Sequence, residues 1–178
     1  ELNKRESVDL RQIVFNPTSP DRLTYMLLAS GLTVAFWVAG LSVYRWLRGN
    51  RSPSVMAALR TGVYLGALLI PVQIFLGHLS GLYVYEHQPA KFAAIEARWH
   101  AEQPGTEVWL AWPDASRERN LFAIATPGIG SLIATGRWDA PMPGLTGFPP
   151  ADRPPVLIPF FGFRIMVGMG LVMLAVSW

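Results

Sequence analysis

The chain has 178 residues, 51% of them hydrophobic, with a mean hydropathy of +0.29 and a formal charge of +3 from 15 Lys and Arg against 12 Asp and Glu. So apolar a composition excludes a disordered or fibrous chain, and basic residues scattered along the sequence exclude nucleic acid as the principal partner. With no cysteine there is no disulfide framework, no thiolate metal site and no iron–sulfur cluster.

Residues 1–22 carry charge where a signal peptide needs an apolar core, and read as an extracytoplasmic segment leading to the first span. The start at Glu1 and the stop at Trp178 on an apolar run make an internal piece of a longer protein the expectation. From Leu23 to Tyr44 there are 22 consecutive uncharged residues, enough for a helix of about 33 Å. Turn chemistry at Asn16-Pro17-Thr18-Ser19-Pro20-Asp21 precedes it, and Arg45, Trp46 and Arg48 anchor its far end at an interface, so the first span is set at residues 23–47. A short connection follows at 48–53. A second charge-free run begins after Arg60, and the second span is set at 54–78, with Pro71 expected to kink it where neighbours or water satisfy the freed carbonyl.

Residues 79–155 hold ten of the fifteen prolines and four tryptophans and cannot lie in lipid. A helix is expected over Pro89 to His100, where Pro89 suits a first turn and alanines follow, and Pro/Gly-punctuated loop over the rest. The third span, 156–178, is interrupted by one charge, Arg164. The fold class is therefore an all-α membrane protein: three transmembrane helices, with lipid as their medium and a long loop between the second and third. Arg45, Arg48, Arg51 and Arg60 crowd the short connection, which puts it in the cytoplasm and the long loop outside.

A cation inside a span costs about 2.5 to 3.5 kcal/mol on insertion scales, so Arg164 either faces protein or a bound anion such as a haem propionate, or snorkels to the headgroups. Met166, Met169 and Met173 form a helical stripe that serves packing equally well; a thioether is also a haem-iron ligand, and Met166 lies two residues from Arg164. Lys91 and Glu96 are five apart, about 140° around a helix, too far for an i,i+4 pair; they either flank a ligand or are two solvated charges. A quinol losing two electrons also loses two protons, so its site wants a carboxylate or imidazole and a donor for its oxygen. His78, His87 and His100 match no compact zinc spacing, and Gly128-Ile129-Gly130 lacks the third glycine of a dinucleotide loop.

Three blocks in order carry a resemblance: Asn16-Pro17 to Gly40; Gly77 to Trp99 with Gln88-Pro89-Ala90-Lys91-Phe92-Ala93-Ala94-Ile95-Glu96; and Pro154-Pro155 through Phe163-Arg164-Ile165-Met166-Val167-Gly168. The chain resembles subunit I of the cytochrome bd quinol oxidases, especially the short-loop, cyanide-insensitive branch. The resemblance implies a multi-pass subunit of the bacterial cytoplasmic (inner) membrane. Such a subunit works with a second oxidase subunit, oxidises quinol at the outer face and passes electrons through a low-spin haem b to high-spin haems b and d, where oxygen becomes water. It implies that Lys91 and Glu96 are the catalytic and quinol-binding residues, that Met166 ligates the low-spin haem iron and that Arg164 supports that haem. The high-spin haem ligands belong to helices outside this chain, so these 178 residues alone are expected to be inactive.

Two positions depart from the family's pattern. Tyr25 stands where the family has a histidine ligand, so the haem is retuned by a phenolate, five-coordinate, or absent; the alternative is a diverged haem-free scaffold or quinone-binding relative. His78 stands where the family usually has aspartate beside the quinol, and imidazole can still accept a proton there.

Overall fold

A computed structural model describes residues 19–178, except the side chain of Asp21. The Asn16-Pro17-Thr18 part of the first turn motif, and all but the end of the segment at 1–22, lie outside the described residues. Three helices are long and apolar enough to cross a membrane: α1 (Ser19–Leu47), α2 (Pro53–His87) and α5 (Leu157–Ser177). Helix α1 starts at Ser19, four residues before the expected span, and α2 continues to His87 rather than stopping at His78. The chain divides into two compact units, the boundaries falling inside α2 and α5.

The first unit, Glu1–Gly77 with Met173–Trp178, contains α1 and most of α2. No hydrophobic effect drives helices together inside lipid, so close approach of small residues must do it. Gly62 supplies it: a Cβ there would lie 2.7 Å from the Ala35 carbonyl oxygen and 3.0 Å from the Ala39 Cβ, and Gly66 receives the Phe36 ring. Leu32, Ala35, Val55 and Ile70 are buried. The hydroxyls of Thr24, Ser30, Thr33 and Ser42 each donate to the carbonyl four residues earlier, so they ask nothing of the medium. Pro71 has no N–H for the carbonyl of Ala67, and the Trp178 indole donates to that oxygen instead at 3.1 Å. The helix runs on through Pro71. Between the helices, Gly49 takes φ +90°, and the side chain of Asn50 accepts from the Ser52 amide.

The second unit, His78–Val172, holds the long segment as ordered structure. Helix α3 (Pro89–Ile95) is followed by an antiparallel hairpin of β1 (Glu107–Asp114) and β2 (Arg119–Thr126), then α4 (Ile129–Thr135) and short 3-10 turns at Leu145–Gly147 and Pro150–Asp152. The hairpin and α4 replace the expected loop. The apolar run Val108-Trp109-Leu110-Ala111-Trp112, rich in aromatics, is a strand signal hidden among prolines. Asp114 closes the turn, its Oδ1 accepting from the amide and hydroxyl of Ser116 and the amide of Arg117, and these bonds hold its carboxyl below the usual range. Ala93, Ala94, Ala97, Trp99, Val108, Ala111, Leu145, Val156 and Phe160 form the core.

Helix α3 also stops earlier than expected, at Ile95 instead of His100. Ala97 adopts φ +49°, the Arg98 amide donates to Ala93 O at 2.8 Å and the Ala97 amide to Ala94 O at 3.2 Å, which is a Schellman ending with alanine in the place usually given to glycine. Asn120 fastens this ending to the hairpin: its amide donates to Ala97 O and its carbonyl accepts from the Trp99 indole.

A buried ion cluster as the candidate functional site

The reversal at Ala97 turns two charged side chains inward. Glu96, 6% exposed, and Arg98, 3% exposed, flank a fully buried alanine and cannot reach water. A third charge arrives from β1, where register shifts between Val108 and Leu110 and between Leu110 and Trp112 mark a bulged strand. Both Glu107 and Val108 are buried at its start, breaking strict alternation. The fourth comes from α5: Arg164 donates from Nη2 to Glu96 Oε2 at 2.6 Å, and its Nη1 forms an ion pair with Glu107 Oε1 at 2.9 Å. Its guanidinium also lies over the rings of Phe160 and Phe163, at 5.2 and 5.5 Å from their centroids.

One guanidinium thus grips two carboxylates of different elements, each oxygen on its own nitrogen. The arrangement has the strength of a charge-assisted pair in a low-dielectric setting, where loss of either partner strands a charge. Burial, then the neighbouring charge of Glu96, push the Glu107 carboxyl up to about 7, with Arg164 and Arg98 pulling the other way. Burial lowers the Arg98 guanidinium, opposed by Glu96, Glu102, Glu107 and Tyr85. Arg98 Nη2 donates to Thr106 O at 2.8 Å, and Glu102 Oε2 accepts the Thr106 amide. A polar cleft of about 220 Å³ adjoins the cluster, lined by Arg98, His100, Glu102, Thr106 and Asn120 among others.

Of the residues singled out from sequence, Arg164 and Glu96 are brought together. Lys91 is exposed on α3, and His78 is exposed on α2. Met166 is 51% exposed on α5; two residues from Arg164 is about 200° around the helix, so the two side chains leave on nearly opposite sides. Tyr25 is half-buried on α1, its ring edge 3.9 Å from where a Cβ on Gly77 would be. Sequence reasoning missed Glu107 and Arg98. The signal available for Arg98 was two charges straddling one alanine right after a helix, and for Glu107 a carboxylate opening an otherwise apolar strand.

Three membrane-length helices, with an ordered, ion-bearing segment between the second and third, define an integral membrane protein whose polar chemistry is gathered in that segment. The whole chain, residues 1–178, matches the family of cytochrome bd terminal oxidase subunit I, and the chain belongs to it. It is 32% identical over 143 residues to cytochrome bd-II ubiquinol oxidase subunit 1 of Escherichia coli K12, covering 80% of this chain and 28% of that protein. It is 26% identical over 182 residues to cytochrome bd ubiquinol oxidase subunit 1 of Bacillus subtilis, covering 96% of this chain and 39% of that protein. The solved structure of bd oxidase from Geobacillus thermodenitrificans is similar with a TM-score of 0.84 at 26% identity, over 95% of this chain and 39% of that one. The chain therefore spans well under half the length of these relatives.

Proposed function

We propose that this chain is the part of a bd-type quinol:oxygen oxidoreductase subunit that carries quinol oxidation and one side of the low-spin haem b pocket. The enzyme would sit in the bacterial cytoplasmic membrane with residues 79–155 facing outward and with a second subunit beside it. High-spin haems b and d would be held by other helices of the full-length protein. The observation that carries the reading is Glu96: a carboxylate at the family's quinol position, held buried by Arg164 in a chain that matches the family from end to end. Quinol oxidation needs a proton acceptor that stays in place, and a carboxylate fixed by a guanidinium is one. Lys91, exposed on α3, is the donor for a quinol oxygen, and His78 a second polar contact.

The donor set suits a haem. Met166 offers a thioether on an exposed face of α5, and Nε of Arg164 is buried with no hydrogen-bond partner among the described residues. A haem held there would supply a one-electron acceptor for quinol oxidation. Met166 would hold that iron and Arg164 would stabilise the carboxylates around it. Tyr25 takes the position of the family's histidine, and this substitution favours a second reading, a haem-free relative that keeps the quinone site.

The test uses the full-length oxidase in its membrane. Glu96→Gln should lower quinol-dependent oxygen uptake by roughly 10²-fold or more, the usual cost of losing a positioned acid–base group, and Lys91→Ala should lower it as well. Unchanged uptake in both ends the quinol reading. Met166→Leu should abolish the low-spin haem b signal after dithionite reduction. A protein with no such signal that gains it on Tyr25→His supports the haem-free reading instead.

A further inference from the structure

We infer that the hairpin of β1 and β2 is a membrane-interface anchor: its outward apolar side chains, Phe122 foremost, insert into the lipid leaflet at the Leu157 end of α5. The partner is a lipid surface, and its binding needs neither quinol nor haem. The two strands carry no charge over residues 108–113 and 120–126, while Asp114, Arg117, Glu118 and Arg119 crowd the turn between them. Trp109, Leu110, Trp112 and Ile124 are 46 to 61% exposed. Among the described residues the sheet has only these two strands, so its edges are open as well. In water a two-stranded sheet is marginal, and a contiguous apolar face on it invites association.

Two irregularities in the ladder bear aromatic residues. Val108 and Leu110 face the adjacent residues Ala125 and Ile124, which makes Trp109 an extra residue of β1. Leu110 and Trp112 then face Ile124 and Leu121, which makes β2 the longer strand at Phe122 and Ala123. Phe122 takes φ +51°, left-handed backbone of the kind a bulge usually gives to glycine. Its ring is 91% exposed and touches too little of the described chain to offset that strain. Depth along α5 identifies what the ring meets. Helix α5 has 21 residues, a length of about 31 Å and close to one hydrocarbon thickness. The Trp112 ring packs on Phe161, with centroids 5.8 Å apart, at a point about 6 Å along α5 from Leu157. Amphipathic helices lying in the interface bury their apolar face by about 5–10 Å, and the hairpin side chains reach the same level. The Glu107 end of β1 is buried further along α5, against Arg164. The strand therefore rises towards the turn, and the charges of the turn meet the headgroups. At this level headgroups and water satisfy the open strand edges, which hydrocarbon could not. Trp109 Nε1 already donates to Thr126 Oγ1 at 2.9 Å, so its indole enters without an orphaned N–H.

The experiment uses the unaltered full-length protein in phospholipid nanodiscs, photolabelled in two arms. In one arm the label is a phospholipid with a diazirine on an upper acyl carbon; in the other it is a water-soluble diazirine amino acid in the buffer. Lipid adducts should fall on residues 109–112 and 122–124, and aqueous adducts on residues 115–117 of the turn. Aqueous adducts at 122–124 put the hairpin in water and overturn the anchor. Adducts from neither arm at 122–124, with lipid adducts on the exposed Ile158 and Ile165 of α5, show that another helix or subunit covers the face, and this overturns it too. A variant reads what the ring holds in place. Phe122→Gly removes the ring and relieves the left-handed backbone together. Amide exchange over residues 107–126 in the same nanodiscs should speed up by about 10-fold, as loss of a largely buried aromatic does. Exchange that is unchanged or slower means that the ring anchors nothing and that only strain was removed, which also ends the proposal.

Discussion

The two units of the chain solve the burial of polar groups in opposite ways. Among the described residues, the helix pair of the first unit buries one polar side chain, Ser42, whose hydroxyl bonds the carbonyl four residues back. The second unit buries Glu96, Arg98, Glu107 and Ser131. A helix in an apolar medium satisfies its polar atoms with its own backbone because nothing else is at hand. A folded segment between the spans can bring partners from distant positions, here Glu96 and Glu107 onto Arg164 of α5, and so can keep full charges dry. Buried charge in this molecule is a property of tertiary structure, and the chemistry follows it.

Removing Arg164 should break that contrast most severely. Arg164→Leu leaves two carboxylates buried without their cation, which costs about 3–5 kcal/mol; protease resistance of residues 79–155 in the full-length protein should collapse while the first unit stays protected. Adding Glu96→Gln and Glu107→Gln should recover much of the loss, since neutral amides need no counter-charge. A triple variant as unstable as Arg164→Leu alone would mean that Arg164 acts through its contacts with Phe160 and Phe163 rather than through charge.

The pH dependence of stability comes next. Glu107 titrates at about 7 when folded and at 4.5 in its ordinary setting, so between these values the folded chain binds more protons than the unfolded one. Stability from this group is therefore full below about pH 4.5 and is lost as pH rises towards 7, with a slope of at most about 1.4 kcal/mol per pH unit. Denaturation of the second unit measured across that range should show the decline, and Glu107→Gln should flatten it. A smaller effect belongs to Ser131, whose buried hydroxyl accepts the Gly105 amide at 2.7 Å and donates to Ala140 O at 2.6 Å. Ser131→Ala orphans both groups and should cost about 1–3 kcal/mol by thermal unfolding.

The first unit was nearly all legible in the sequence and the second only in part, for the same physical reason. Lipid imposes a local rule, some twenty uncharged residues, and runs such as Leu23 to Tyr44 satisfy it on their face. The ordered segment depends on non-local pairing. Leu110 opposite Ile124 and Trp112 opposite Leu121 form a hairpin that prolines at 104, 113 and 127 disguise as loop. The early end of α3 was hidden because alanine, a helix former, takes the left-handed turn at 97. Glu96 and Arg164 each stood out, one by family position and one by its place in a span, but their contact spans 68 residues of sequence. Glu107 stood out only as a carboxylate ahead of an apolar run, which names no partner; the fold supplies one.

The smallest expected effect tests the self-sufficiency of the helix pair. Pro71 leaves Ala67 O without an amide, and Trp178 Nε1 fills the gap. Trp178→Phe should therefore cost roughly 0.6 kcal/mol, the average of side-chain hydrogen bonds between membrane helices. Pro71→Ala restores the missing amide, after which the same Trp178→Phe change should cost less. A double-mutant cycle measured by reversible unfolding in detergent reads this difference directly. A coupling near zero would mean that the carbonyl was content without the indole, an open acceptor beside the proline like the buried Gln73 Oε1 two residues on, which has no hydrogen-bond partner among the described residues.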